Sequence, residues 1–155
     1  MIRVSTHREP VTVTLPPPYS DVTVTLKRLT SIDYGEARHA AQATIRDTGA
    51  LLELLIKHDR LPPGGIRAWK TMKDKDPAGY ANFMSGVGGW LAAVEGGLRG
   101  IEAWTGVVDG GGQPALIDRE TLEVLMLDEG LCAQLMGELD RTARILLTEG
   151  ELFGT

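Results

Sequence analysis

Residues 104–118 read Trp104-Thr-Gly-Val-Val-Asp109-Gly-Gly-Gly-Gln-Pro114-Ala-Leu-Ile-Asp118, and two apolar-periodic runs follow up to Gly150. Asp109-Gly110 between apolar residues is a hairpin-turn signal, because Gly accepts the positive φ such turns need. Asp118 stands where a helix N-cap belongs, with Leu122, Leu125 and Met126 next at helical spacing. Asp128-Glu129-Gly130 interrupts that pattern. Leu131, Leu135, Leu139, Ala143, Leu146 and Leu147 resume it, with Gly150 as a C′ residue. The pattern fits two helices or one kinked helix, with most of Leu131, Leu135 and Leu139 in the core. Asp118 and Asp128 read as caps.

Towards the N-terminus the pattern is of two kinds. Val-Thr-Val-Thr-Leu occurs at 11–15 and again at 22–26. Strict alternation puts Val11, Val13 and Leu15 on one face of a first strand, and Val22, Val24 and Leu26 on one face of a second. Pro16 to Asp21 between them cannot pair as a central strand, so the segment is expected to be a β-hairpin. Arg3 to Thr6 is a candidate for an earlier strand. Two strands are marginal alone and must pack on helices or on another chain's sheet.

Thr30-Ser-Ile-Asp33 fits a capping box. Ala37, Ala41, Ile45, Leu51 and Leu55 then recur at helical spacing, predicting a helix from Ser31 to His58, about 40 Å long. Gly35 and Gly49 each cost about 1 kcal/mol against Ala, so a kink or break is expected near Gly49. Leu61-Pro-Pro-Gly-Gly65 ends the helix. Residues 66–76 read as an exposed connector. Asp76-Pro77 starts another helix, with Asp at N-cap and Pro at N1. It carries Tyr80, Phe83, Val87, Trp90, Leu91, Val94, Leu98 and Ile101, with seven glycines from Gly79 to Gly100.

Residues 77–94 contain no charged side chain. Asn82, Ser85 and the glycines dilute this run, and Glu95 and Arg99 follow, so it falls short of the ~20 predominantly apolar residues of a membrane span. Its polar face also lacks the Lys and Arg of an interfacial helix. A buried central helix, admitting close neighbours at its glycines, is expected instead.

Together these signals predict an α+β, mostly helical fold. A hairpin over about 10–28 packs on three to four helices over about 31–150, in a single domain of 155 residues. A chain of this length buries about two-thirds of its unfolded surface without a disulfide or metal. Hydrophobic residues make up 43% and aromatics only 5%, so Leu, Val, Ile, Ala and Met must carry the core.

The chemistry-bearing residues are sparse. Cys132 is the only cysteine, so neither an intramolecular disulfide nor a cysteine zinc site is expected. It lies in an apolar run and reads as a small hydrophobe. His7, His39 and His58 lack metal-ligand spacing and read as surface or capping residues. Gly86-Val-Gly-Gly89 and Gly110-Gly-Gly112 do not complete a phosphate-binding motif. No nucleophile, base and orienting group can be assembled, so no catalytic, metal or cofactor-binding residue is assigned. Residues 1–75 hold twelve Lys and Arg against eight Asp and Glu; residues 76–155 hold four against thirteen. An acidic second half disfavours nucleic acid, whose binding rests on neutralised phosphates. The first ten residues lack the apolar core of a signal peptide.

Some of these residues, in this order, resemble a family. Leu26-Lys-Arg-Leu-Thr-Ser31 leads into an Ala-rich helix near Tyr34-Gly-Glu-Ala37. Ile101-Glu-Ala-Trp-Thr-Gly-Val-Val-Asp109 follows, then Gly112-Gln-Pro114, Ile117-Asp-Arg-Glu-Thr-Leu122 and a terminal helix ending Thr148-Glu-Gly150. The order is similar to that of the tail assembly chaperones of tailed phages and gene-transfer agents. The likeness spans most of the chain and is weakest over the glycine-rich 77–100 helix. It implies a non-catalytic protein acting in the host bacterial cytoplasm, or alternatively a structural part of the virion tail. Its implied partners are the tape-measure and tail-tube proteins or copies of itself, with no cofactor and no membrane. Candidate partner-binding residues are Val11, Val13, Val22, Val24, Trp90 and Trp104. A small enzyme or ligand-binding domain is the remaining alternative.

Overall fold

The computed structural model describes residues 3–4, 9–143 and 146–147. Its centre is α4 (Pro77–Gly100), which packs against α1 (Ser31–Arg46), α3 (Gly65–Lys75), α5 (Arg119–Leu125) and α6 (Glu129–Ala143). Short α2 (Thr48–Lys57) continues from α1. Strands β2 (Val11–Thr14), β3 (Thr23–Leu26) and β4 (Ile101–Thr105) form an antiparallel sheet in the order β2-β3-β4. A separate pair joins β1 (Arg3–Val4) to β5 (Leu146–Leu147). The fold is the expected α+β, mostly helical one, with the N-terminal hairpin on helices.

The caps act as their residue types dictate. The Thr30 hydroxyl accepts from the Asp33 N–H at 3.3 Å, and the Asp33 carboxylate accepts from the Thr30 N–H at 2.7 Å. Asp76, Asp118 and Asp128 accept from the N–H groups of Gly79, Thr121 and Leu131 at 3.0, 2.8 and 2.7 Å. The last of these makes α5 and α6 two helices.

The helical body divides more finely than the apolar pattern suggests. The expected 31–58 helix breaks at Asp47, two residues before Gly49, because the Asp47 carboxylate caps the Ala50 N–H at 3.1 Å and starts a new helix. Residues 66–76, expected as a connector, form most of α3. One aromatic anchors it: Trp69 is buried with its ring 5.6 Å from Phe83 and 6.0 Å from Tyr80. The last helix stops at Ala143, and Leu146 and Leu147, expected on it, pair with β1 instead. The expected cap at Gly150 and the candidate His7 lie outside the described residues.

The third strand also departs from expectation. Ile101 was expected on the helix, yet α4 ends at Gly100 and Ile101 opens β4. The ladder runs Thr23 to Thr105, Val24 to Trp104 and Thr25 to Ala103, then shifts so that Leu26 faces Ile101. That irregularity leaves Glu102 and Ala103 both exposed, while Ile101 and Trp104 turn inward. A strand broken this way carries no period of two. The opposite face of the sheet is a small-residue lattice: Thr12, Thr25 and Ala103 in one row, Thr14, Thr23 and Thr105 in the next. The Thr12–Thr25 and Thr14–Thr23 hydroxyls are 3.0 and 3.1 Å apart.

The core joins Leu15, Val24, Leu26 and Ile101 of the sheet and its turns to Leu51, Leu55, Leu91, Val94, Leu122, Leu135 and Leu139. Leu131, Leu135 and Leu139 are all core, as expected. Glycines let α4 sit this close. A Cβ on Gly97 would lie 3.1 Å from Met126 Cε and 3.2 Å from Leu122 Cδ2, and one on Gly100 would collide with Leu139 Cδ2.

Candidate partner-binding groove

The first half of α4 is covered on one side only. Val87, Trp90 and Leu91 are buried, whereas Ala81, Asn82, Ser85, Gly86 and Gly89 face solvent without a charge among them. Beside this face runs an open groove of about 280 Å³. It is lined by Leu55, Phe83, Val87, Trp90 and Leu127, with Gly86, Asn82 and Arg60 completing it.

Its walls are set by local chain geometry. Helix α2 ends in a Schellman turn: the Asp59 N–H donates to the Ile56 carbonyl at 3.1 Å and the Arg60 N–H to the Leu55 carbonyl at 2.8 Å. Asp59 takes the left-handed conformation (φ 53°) that glycine usually supplies. The turn brings Arg60 to the groove beside Leu55. On the far side, Phe83 leans on Trp69 of α3.

Trp90 is held by two specific contacts. Its Nε1 donates to the Glu123 carbonyl at 2.9 Å, and its ring meets the His58 ring edge-on at 5.5 Å. His58 Nε2 in turn lies 2.8 Å from Glu123 Oε2, each side chain only 6% exposed. Lys57 Nζ stands 3.9 Å from the same carboxylate oxygen and 3.5 Å from Glu120. This buried pair ties α2 to α5. His58 was expected at the surface or in a cap: it is the C-cap residue of α2, but its side chain is buried and paired instead of exposed. The expectation looked only along one helix, whereas the partner carboxylate comes from a residue 65 positions away. His39 is exposed.

Several other ionisable groups are likewise engaged. Glu95 is buried in α4 and accepts from Arg99 at 2.6 Å and from Arg119. Burial pushes its carboxyl upward, but hydrogen bonds from Arg119 and Arg99 outweigh that and hold it below the ordinary range. The Tyr34 hydroxyl donates to Asp140 at 2.6 Å, and burial, with that bond, raises its pKa. Tyr19 at the tip of the hairpin donates to Asp128 at 2.7 Å. Cys132 is half-buried and its thiol is pushed up, chiefly by burial, which keeps it protonated and weakly nucleophilic. Among the described residues no three His, Cys, Asp or Glu side chains gather as a metal site would require. Nor is any described helix long and apolar enough to cross a membrane.

The candidate partner residues fall into two places. Val13, Val24 and Trp104 form one row across the inner face of the sheet, with Val11 in the next. Val22 and Val24 are buried, Val11 and Val13 half-buried on the outermost strand. Trp104 is half-buried and donates through Nε1 to the Ala115 carbonyl at 2.9 Å. Trp90 alone of the six lines the groove. Arg60, Asn82 and Gly86 were not among the candidates. The available signal was the uncharged run itself, since a helix with a solvent face normally carries charge there.

The chain matches no protein-family model, no curated protein and no solved structure.

Proposed function

We propose that this protein is a non-catalytic binding protein of phage-tail morphogenesis, an assembly chaperone that holds apolar segments of tape-measure and tail-tube proteins. The observation that carries the binding half of this reading is the Trp90 groove. It is apolar, open to solvent and braced beneath by the His58–Glu123 pair. Its lining on α4 runs from Asn82 to Trp90, about two helical turns, which suits apolar side chains of an amphipathic partner helix. The tail-module half rests on the resemblance of the 26–37 and 101–122 segments. The non-catalytic reading is supported by the pairing just described, in which the buried side chains of His58, Glu95 and Glu123 are each engaged by a partner.

A second reading, a structural part of the tail particle, is favoured by the sheet edge. Strand β2 ends the order β2-β3-β4, so among the described residues no strand lies on its outer side, where another chain's strand could add. The two readings part on one measurement. The chain is co-expressed with the genes neighbouring its own, pulled down, and sought by mass spectrometry in purified particles. A chaperone co-purifies with a long helical protein and is missing from finished particles. Fixed copy number in those particles establishes the structural reading and overturns the chaperone. Saturable binding of a metabolite without any protein partner overturns both.

A further inference from the structure

We infer that the occupant of the Trp90 groove is an amphipathic α-helix with acidic residues flanking its apolar stripe; this rests on the reading of the groove as a partner site. Charge decides the class of occupant. Residues 57–75, which form the α2 turn and α3, carry six Lys and Arg against two Asp. Among the described residues Arg60 is the only charged one lining the groove. Among the described residues neither it nor Arg67, Lys70 or Lys75 has a carboxylate partner. Helix α3, which carries Arg67, Lys70 and Lys75, abuts the groove through Trp69 against Phe83. The floor contributes no charge of its own. An apolar helix flanked by Glu or Asp gains Coulomb energy there, whereas one flanked by Lys or Arg meets like charge as it docks.

The floor also shows how close that helix comes. A Cβ on Gly86 would meet nothing within 4 Å, unlike one on Gly97 or Gly100. Gly86 thus serves no packing inside the molecule, and its missing side chain leaves room for an apolar side chain of the occupant beside Trp90.

The test uses two synthetic peptides of roughly five helical turns. Both carry Leu at i, i+3, i+4 and i+7; one is flanked by Glu and the other by Lys at the same positions. Binding to the full chain is read by calorimetry and by tryptophan fluorescence. The Glu peptide is expected to bind at least about tenfold more tightly than the Lys peptide, and to weaken with added salt. Arg60→Glu should reverse or erase that preference. Gly86→Leu fills the groove and should abolish binding, while circular dichroism and thermal melting show a fold at least as stable as the parent. Equal binding of both peptides, unmoved by Arg60→Glu, overturns the acidic-helix inference and leaves the groove reading standing. So does binding of neither peptide when co-expressed natural partners bind and are lost on Gly86→Leu. Partner binding that ignores Gly86→Leu overturns the groove reading itself. A dimer that Gly86→Leu converts to monomer identifies a second copy as the occupant and also overturns the inference.

Discussion

His58 Nε2 lies 2.8 Å from Glu123 Oε2, with both side chains buried beneath Trp90. Removing one partner leaves the other's charge in a poorly solvated place, partly relieved here by Lys57 at 3.9 Å. His58→Ala should therefore cost about 3 kcal/mol, the lower end of what breaking a buried pair costs. Urea denaturation of the two proteins measures this directly. The loss should also loosen Trp90, visible as a red shift in its fluorescence.

Stability should fall on acidification. The carboxyls of Glu95, Asp33 and Asp118 are held below their ordinary range, so unfolding lets them bind protons. Their contribution is complete above the unfolded carboxylate range, near pH 4 to 4.5, and is lost as the pH drops through the lower folded values. Denaturation midpoints should decline with falling pH across that window. Glu95→Gln should flatten this acid limb, since it removes the carboxylate that Arg99 and Arg119 hold.

Two glycines of α4 should respond oppositely to the same substitution. Gly86→Ala meets open space and should raise stability by about 1 kcal/mol, the helix-propensity difference. Gly100→Ala drives a methyl into Leu139 and against Leu29, and should cost about 1–3 kcal/mol of overpacking. Thermal melts that move both variants the same way would contradict this packing.

Asp59 holds a positive φ that suits glycine better. Asp59→Gly should stabilise the fold by roughly 0.5–1 kcal/mol, because it relieves the left-handed strain. Arg60 should stay in place, and with the neighbouring carboxylate gone an acidic helix should bind the groove at least as tightly as before.

What the chain order discloses and what it hides follow from distance. Thr30 with Asp33, Asp76 with Pro77, and Asp118 with Thr121 are local pairings, complete within a few residues, and each marks a real helix start. The hairpin is similarly local, two alternating runs around a proline loop. Strand β4 was hidden because its irregular pairing with β3 destroys alternation at Glu102 and Ala103. Helix α3 was hidden because one residue, Trp69, anchors a segment otherwise rich in charge. The groove needed three remote pieces: Arg60 from the α2 turn, Gly86 from α4 and Leu127 after α5. No spacing rule links them, and the same holds for Glu95 with Arg119, 24 residues apart.

The close seating of α6 on α4 has a consequence for the sheet. Met136 reaches within 3.3 Å of where a Gly96 Cβ would be, and Leu139 fills the notch at Gly100 one turn further on. Both notches are occupied like meshed teeth, so α6 cannot slide along α4 by a turn of about 5.4 Å without emptying one of them. Asp128, at the head of α6, grips Tyr19 in the hairpin loop. That phenol adds a polar tie at the loop to the apolar packing of Leu15, Val24 and Leu26 on the helices. An incoming strand at β2 would meet a stationary rail instead of a flap, and would have to adopt the twist already set there.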